Sequence, residues 1–120
     1  MSSASIVVAG CLGMCIALIH GYLGEIKVVR IVQGAPATPK RVLHAVMFLS
    51  AVYWFVGGAV LASGPLYLTA HEQGVAALII GTMYLTGALG NLWATRGRHV
   101  GWVLLTCAVA LAWSGAWFRF

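Results

Sequence analysis

The sequence predicts an all-α protein, a polytopic four-helix transmembrane bundle with both termini on the outer side. Three observations carry that expectation. First, the 120 residues are 62% hydrophobic and only 8% charged, where soluble globular chains are about 25% charged, and the mean hydropathy is +0.97. A chain of this composition cannot cover its apolar side chains with polar surface in water, so its solvent is lipid. Second, four stretches, about 6–23, 42–62, 74–94 and 100–118, are apolar over close to the length a spanning helix needs. None of them contains Asp, Glu, Lys or Arg. Closed β-barrels also span membranes, but their strands alternate with polar residues, whereas these runs are continuously apolar. Third, the basic residues are asymmetric. Lys27, Arg30, Lys40 and Arg41 lie between the first and second spans, Arg96 and Arg98 between the third and fourth, and Arg119 alone falls on the other side. Lys and Arg collect in short cytoplasmic loops, so both basic connections are expected to face the cytoplasm of an inner-membrane protein. The same asymmetry argues against a dual topology, which needs balanced loops. Residues 1–120 have the length of a single domain.

The first span begins in an apolar run. "VAGC" (Val8–Cys11) has the local look of a lipoprotein cleavage site, but no Lys or Arg precedes it and the apolar stretch before it is too short for a signal peptide. It reads as helix. Beyond Leu23, Ile26, Val29 and Val32 recur at helical spacing with Lys27, Arg30 and Gln33 between them. The first helix should therefore continue about two turns past the membrane and end near Gly34, ahead of Pro36. In "TPKR", Thr38 is placed to cap the second helix, with Pro39 at its first position. That helix should stop before "SGP" (Ser63–Pro65). The third opens with Thr69 and Glu72 in capping-box spacing and closes at "TRGR", with Gly97 as its C-terminal cap. The fourth follows after a short turn. Tyr22, Trp93 and Trp102 fall near one boundary and Tyr67, Trp117 and Phe118 near the other, where amphipathic rings are favoured.

Apolar faces do not drive helices together in lipid, so close packing depends on small residues. Ala9, Gly13, Ala17 and Gly21 recur every fourth residue in the first helix, and Ala108, Ala112 and Ala116 do so in the fourth; the second carries Gly58 and Ala62. Helices one and four are therefore expected to make the tight contacts.

The net charge of +5 is explained by the loops and is no signal for nucleic acid. Cys11, Cys15 and Cys107 all lie within spans, the placement of small apolar thiols and not of a disulfide framework. Glu72 has a structural account in the capping box. Glu25 has none, since it lies toward the C-terminal half of a long helix. At 1.5 Å per residue, His20 sits roughly 6 Å inside the cytoplasmic end of helix one and His44 roughly 4–5 Å inside helix two. The topology thus gathers His20, Glu25, His44, His99 and Asn91 into one leaflet with the basic loops. Ionisable groups at membrane depth usually face the bundle interior and mark function. His20 follows Gly13 and Ala17 on the small-residue face and should point at a neighbouring helix.

Glu25 is turned roughly 140° from His20, so a site joining them needs a kink, for which Gly21 and Gly24 offer an opening. Without one, Glu25 is expected to pair with Arg30, Arg41 or Arg96. The leading expectation is a small membrane protein acting as an oligomer or as an accessory subunit of a larger complex. Its cytoplasmic-leaflet cluster would bind a partner, lipid headgroup or small ligand, with Asn91, Tyr84, Trp54, Arg41 and Arg96 as ligand-binding residues. The rival is an enzyme doing acid–base chemistry on a lipophilic substrate with His20, His44 and Glu25 as catalytic residues. A haem or metal ion held by histidines and a small transporter are further alternatives. No CxxCH or HExxH motif is present, so no cofactor is named, and no span has an ionisable group at mid-depth.

Overall fold

The computed structural model describes residues 2–34 and 36–120, without the side chains of Ser2 and Gln33. Among them there are four α-helices and no strand: α1 (Ser2–Gly24), α2 (Ala37–Ser63), α3 (Ala70–Thr95) and α4 (Gly101–Trp117). The helical segments Ser3–Val29, Ala37–Leu66 and Ala70–Thr95 are long and apolar enough to cross a membrane; α4 is apolar but has 17 residues. It is shorter than the predicted stretch because the turn after α3 persists through Val100 and the chain leaves the helix after Trp117.

The helix ends follow local chemistry. α1 continues past Gly24, as the Ile26–Val29–Val32 spacing predicts, but in two altered forms. Glu25–Val29 is a π-helical turn, closed by the Arg30 N–H donating to the Glu25 carbonyl at 3.2 Å, and Ile31–Gly34 tightens to a 3₁₀ turn. α2 starts earlier than expected. Pro36, extended at φ −52° and ψ 148°, is its N-cap, so Thr38 and Pro39 lie inside the first turn and Thr38 does not cap. Pro39 is tolerated there because the first-turn N–H groups have no intrahelical acceptor. α2 gives way at Ser63 to a 3₁₀ turn over Gly64–Leu66. At α3 the predicted capping box is present in both directions. Thr69 Oγ1 accepts from the Glu72 N–H at 3.3 Å, and Glu72 Oε2 accepts from the Thr69 N–H at 2.8 Å. The helix ends in two left-handed residues, Arg96 at φ 51° and Gly97 at φ 75°, with the Gly97 N–H donating to the Leu92 carbonyl at 2.9 Å. The cap position itself is thus Arg96, one residue before the glycine.

α1 packs against both α2 and α4, and α3 packs against α4, whereas α2 and α3, though consecutive in the chain, meet only sparsely. α1 packs more extensively against α2 than against the expected α4, and the α1 and α2 backbones come together at Gly10. A Cβ on Gly10 would lie 2.5 Å from both the Gly58 carbonyl oxygen and the Ala62 nitrogen. The small-residue stripes are used in several directions. Ala9, Ala108, Ala112 and Ala116 are fully buried, whereas Gly13 lies directly against the ring of Tyr84 from α3. Tyr84 reaches across the middle of the bundle and donates from its hydroxyl to the Trp54 carbonyl of α2 at 3.1 Å. It fills the space left where α2 and α3 stand apart.

The two ends of the molecule differ. At one, Arg119 donates to Ser3 Oγ, His71 meets Phe120 edge to face at 5.3 Å, and Gly74 lies beneath Arg119 and Phe120. Both termini therefore share that end with the α2–α3 connection. The other end carries the α1–α2 and α3–α4 connections and six of the seven basic residues.

Candidate functional site

Polar side chains at the basic end divide between two hollows. The first is a half-open cavity of about 190 Å³ reached by all four helices. His20 of α1, Trp54 of α2, Asn91 and Thr95 of α3 and His99 from the turn before α4 line it, together with Lys27, Leu104 and Leu105. His20 Nε2 lies 3.2 Å from Ser50 Oγ, and that hydroxyl donates to the Met47 carbonyl at 2.9 Å. The serine oxygen is thereby left to accept, so the neutral His20 ring carries its hydrogen on Nε2 and offers Nδ1 as an acceptor. The same geometry means that Ser50 is not arranged as a nucleophile with His20 as its base, since its proton is directed at a backbone carbonyl. The His20 ring also rests on Trp54, with centroids 4.5 Å apart. His99 Nδ1 accepts from the Gly101 N–H at 3.0 Å, which makes its Nε2 the donor when the ring is neutral. Asn91 Nδ2 donates to the Gly87 carbonyl at 3.0 Å, and its other polar atom is an acceptor. The cavity combines apolar walls with donors and acceptors of both kinds, the makeup of small-molecule sites. Its volume falls below the roughly 300–1,000 Å³ of sites for drug-sized ligands, so an occupant would be small.

The second hollow is a groove of about 430 Å³ between α1 and α2, lined by Leu18, Phe48, Val52, Phe55 and Val56 and bounded at one end by Glu25 and His44. His44 Nδ1 and Glu25 Oε2 are 3.4 Å apart, and both side chains are about half exposed, at 54% and 47%. Beyond them, a shallow hollow is lined by Lys40 and Arg41 and shares His44 with the groove.

The residues singled out in sequence thus fall in separate places. His20, Trp54 and Asn91 meet in the half-open cavity; Glu25 and His44 meet in the groove; Arg41 borders the hollow next to it. Tyr84 is buried in the core below the cavity, and Arg96 serves as the C-cap of α3. Glu25 pairs with His44 and not with an arginine: among the described residues theirs is the one contact within 4.0 Å between a carboxylate and a basic side chain. His20 and Glu25 stay apart because Gly24 keeps ordinary helical angles, φ −58° and ψ −46°. The unwinding that the glycines suggested begins only at Glu25. Sequence reading also passed over Ser50 and Thr95. Ser50 carried a signal, as a hydroxyl within a long apolar span, but nothing in its spacing pointed to His20 thirty residues away. Among the described residues, no three of His, Cys, Asp and Glu come together as a metal-binding group.

Comparisons with protein-family models, with curated proteins and with solved structures find no match to this chain.

Proposed function

We propose that this chain is a four-span protein of the cytoplasmic membrane, with both termini outside and the basic end inside, that binds a small ligand in the cavity around His20. We further read it as an oligomer or an accessory subunit of a larger membrane complex. The observation that carries the ligand reading is the convergence of His20, Asn91, Thr95 and His99, from three helical neighbourhoods, on one cavity whose other walls are apolar apart from Lys27. Polar groups within a lipid-solvated bundle are costly, and gathering them on a cavity gives them a common partner. Supporting the membrane assignment are the three long apolar helices and the charge asymmetry between the two ends. The large apolar side chains that α2 leaves exposed, among them Val42, Val46, Leu49 and Tyr53, are open to lipid or to a second subunit alike.

The rival enzyme reading asks His20, His44 and Glu25 to act on one substrate, although His20 opens on a different hollow from the other two. Native mass spectrometry of protein extracted gently from its own membrane tests the proposal. An extra small mass, present in the parent and lost in both His20→Ala and Asn91→Leu without loss of the oligomer, is the expected result. A parent chain of bare mass would sink the ligand reading. A turnover abolished equally by His20→Ala and Glu25→Gln in folded protein would replace it with the enzyme.

A further inference from the structure

We propose that the groove between α1 and α2 binds a single anionic phospholipid of the leaflet at the basic end. One acyl chain lies along Phe48, Val52 and Phe55, and the phosphate rests on Lys40 and Arg41. This rests on the membrane reading but concerns a different hollow from the His20 cavity.

The chemistry of the groove changes along its length. From Leu18 and Ala51 to Val56 its walls are apolar, and they face outward where lipid would lie. At the other end it meets the Glu25–His44 pair, and the adjoining hollow presents Lys40 and Arg41. Lys40, Arg41 and His44 belong to consecutive turns of α2, so the two basic residues stand directly beyond the apolar walls. Glu25 stands beside His44, 3.4 Å away, at the end of the groove, and does not line the adjoining hollow where Lys40 and Arg41 are presented. The pair forms the boundary between chain and headgroup.

Length selects the occupant. His44 to Val56 spans roughly 18 Å of helix, close to one leaflet of a hydrocarbon core about 30 Å thick. A helix from a second copy would need a matching face through both leaflets. Here the groove ends short of that, because Gly10 and Gly58 bring the α1 and α2 backbones together farther on. An acyl chain needs only the one leaflet, and a negative headgroup is what two neighbouring basic side chains attract.

The test is retention of added lipid by the purified protein, read by native mass spectrometry after equal exposure to phosphatidylglycerol and phosphatidylcholine. The parent is expected to retain one phosphatidylglycerol preferentially. Lys40→Gln with Arg41→Gln should lower that retention on the order of tenfold or more, and Val52→Trp, which fills the groove from its exposed side, should abolish it. Neither change touches the His20 cavity, so any small mass bound there should persist in both variants; its absence from the parent would count against the cavity reading alone. Equal retention of the two lipids by the parent, or unchanged retention in either variant, would overturn the lipid site. A dimer lost in Val52→Trp with no lipid bound would overturn it in favour of a second copy of the chain.

Discussion

Tyr84 is the residue on which the centre of the bundle depends. Its ring is fully buried, it lies against Gly13, and its hydroxyl holds the Trp54 carbonyl across the gap between α3 and α2. Removing that hydroxyl with Tyr84→Phe is expected to cost about 0.5–1.5 kcal/mol, the usual worth of one such bond. Gly13→Ala should cost more, about 1–3 kcal/mol, because a methyl group there meets a ring with nowhere to move. The two changes should couple. The atom nearest a new Cβ is the tyrosine oxygen, so the double variant should be less destabilised than the sum of the single ones. Unfolding in mixed micelles with increasing denaturing detergent measures all three; strict additivity would mean that the contact is not as described. His20 is held differently, by Ser50 on one side and Trp54 on the other. Its orientation, more than its presence, decides what its cavity offers a ligand.

At the scale of elements, the ends of the helices are local and their pairing is not. The start of α3 is determined by two side chains, Thr69 and Glu72, which satisfy each other's backbone donors. Thr69→Ala is expected to cost about 1 kcal/mol, and Thr69→Ser much less, because serine caps as well as threonine does. Faster amide exchange confined to the first turn of α3 in the alanine variant would check it. The pairing of α1 with α2 rests on Gly10 and Gly58, where a Cβ on either would meet backbone at 2.5 Å or 2.6 Å and not a side chain that can swing away. Gly58→Ala should therefore separate the two helices and destabilise the fold, whereas Gly90→Ala, with nothing within 4 Å of its new Cβ, should be close to neutral or slightly stabilising through helix propensity. Equal effects at the two positions would remove the argument for close approach.

For the whole molecule, the arrangement of charge makes the proposed orientation measurable. With the three native cysteines replaced, a single cysteine at Thr38 should react with a membrane-impermeant maleimide only after the cells are opened. One at Tyr67 should react on intact cells. The reverse pattern would invert the molecule and move both hollows to the outer leaflet. Of the three long helices, α2 is the one the fold covers least. It meets α3 far less than α1 and exposes a run of large apolar side chains, among them Phe48, Phe55 and Tyr53. Lipid in the groove and a neighbouring subunit elsewhere on that helix would together cover what the fold leaves open.

What the sequence determined by itself was the number of helices, most of their ends and the gathering of charge at one end. Each of these follows from local chemistry. A proline or glycine stops a helix, Thr69 and Glu72 start one, and an apolar run without charges remains helical. The sequence also placed His20, Glu25, His44, His99 and Asn91 near a common level, since depth along a helix follows from counting residues. Only the tertiary structure decided which of them meet. His20 joins Ser50 and Trp54, Glu25 joins His44, and Gly10 joins Gly58, all across separate helices. The reason is rotational. An amphipathic helix announces its buried face by its polar one, but these helices are apolar nearly all round. Which way each is turned was settled by how small residues and one long tyrosine fit together.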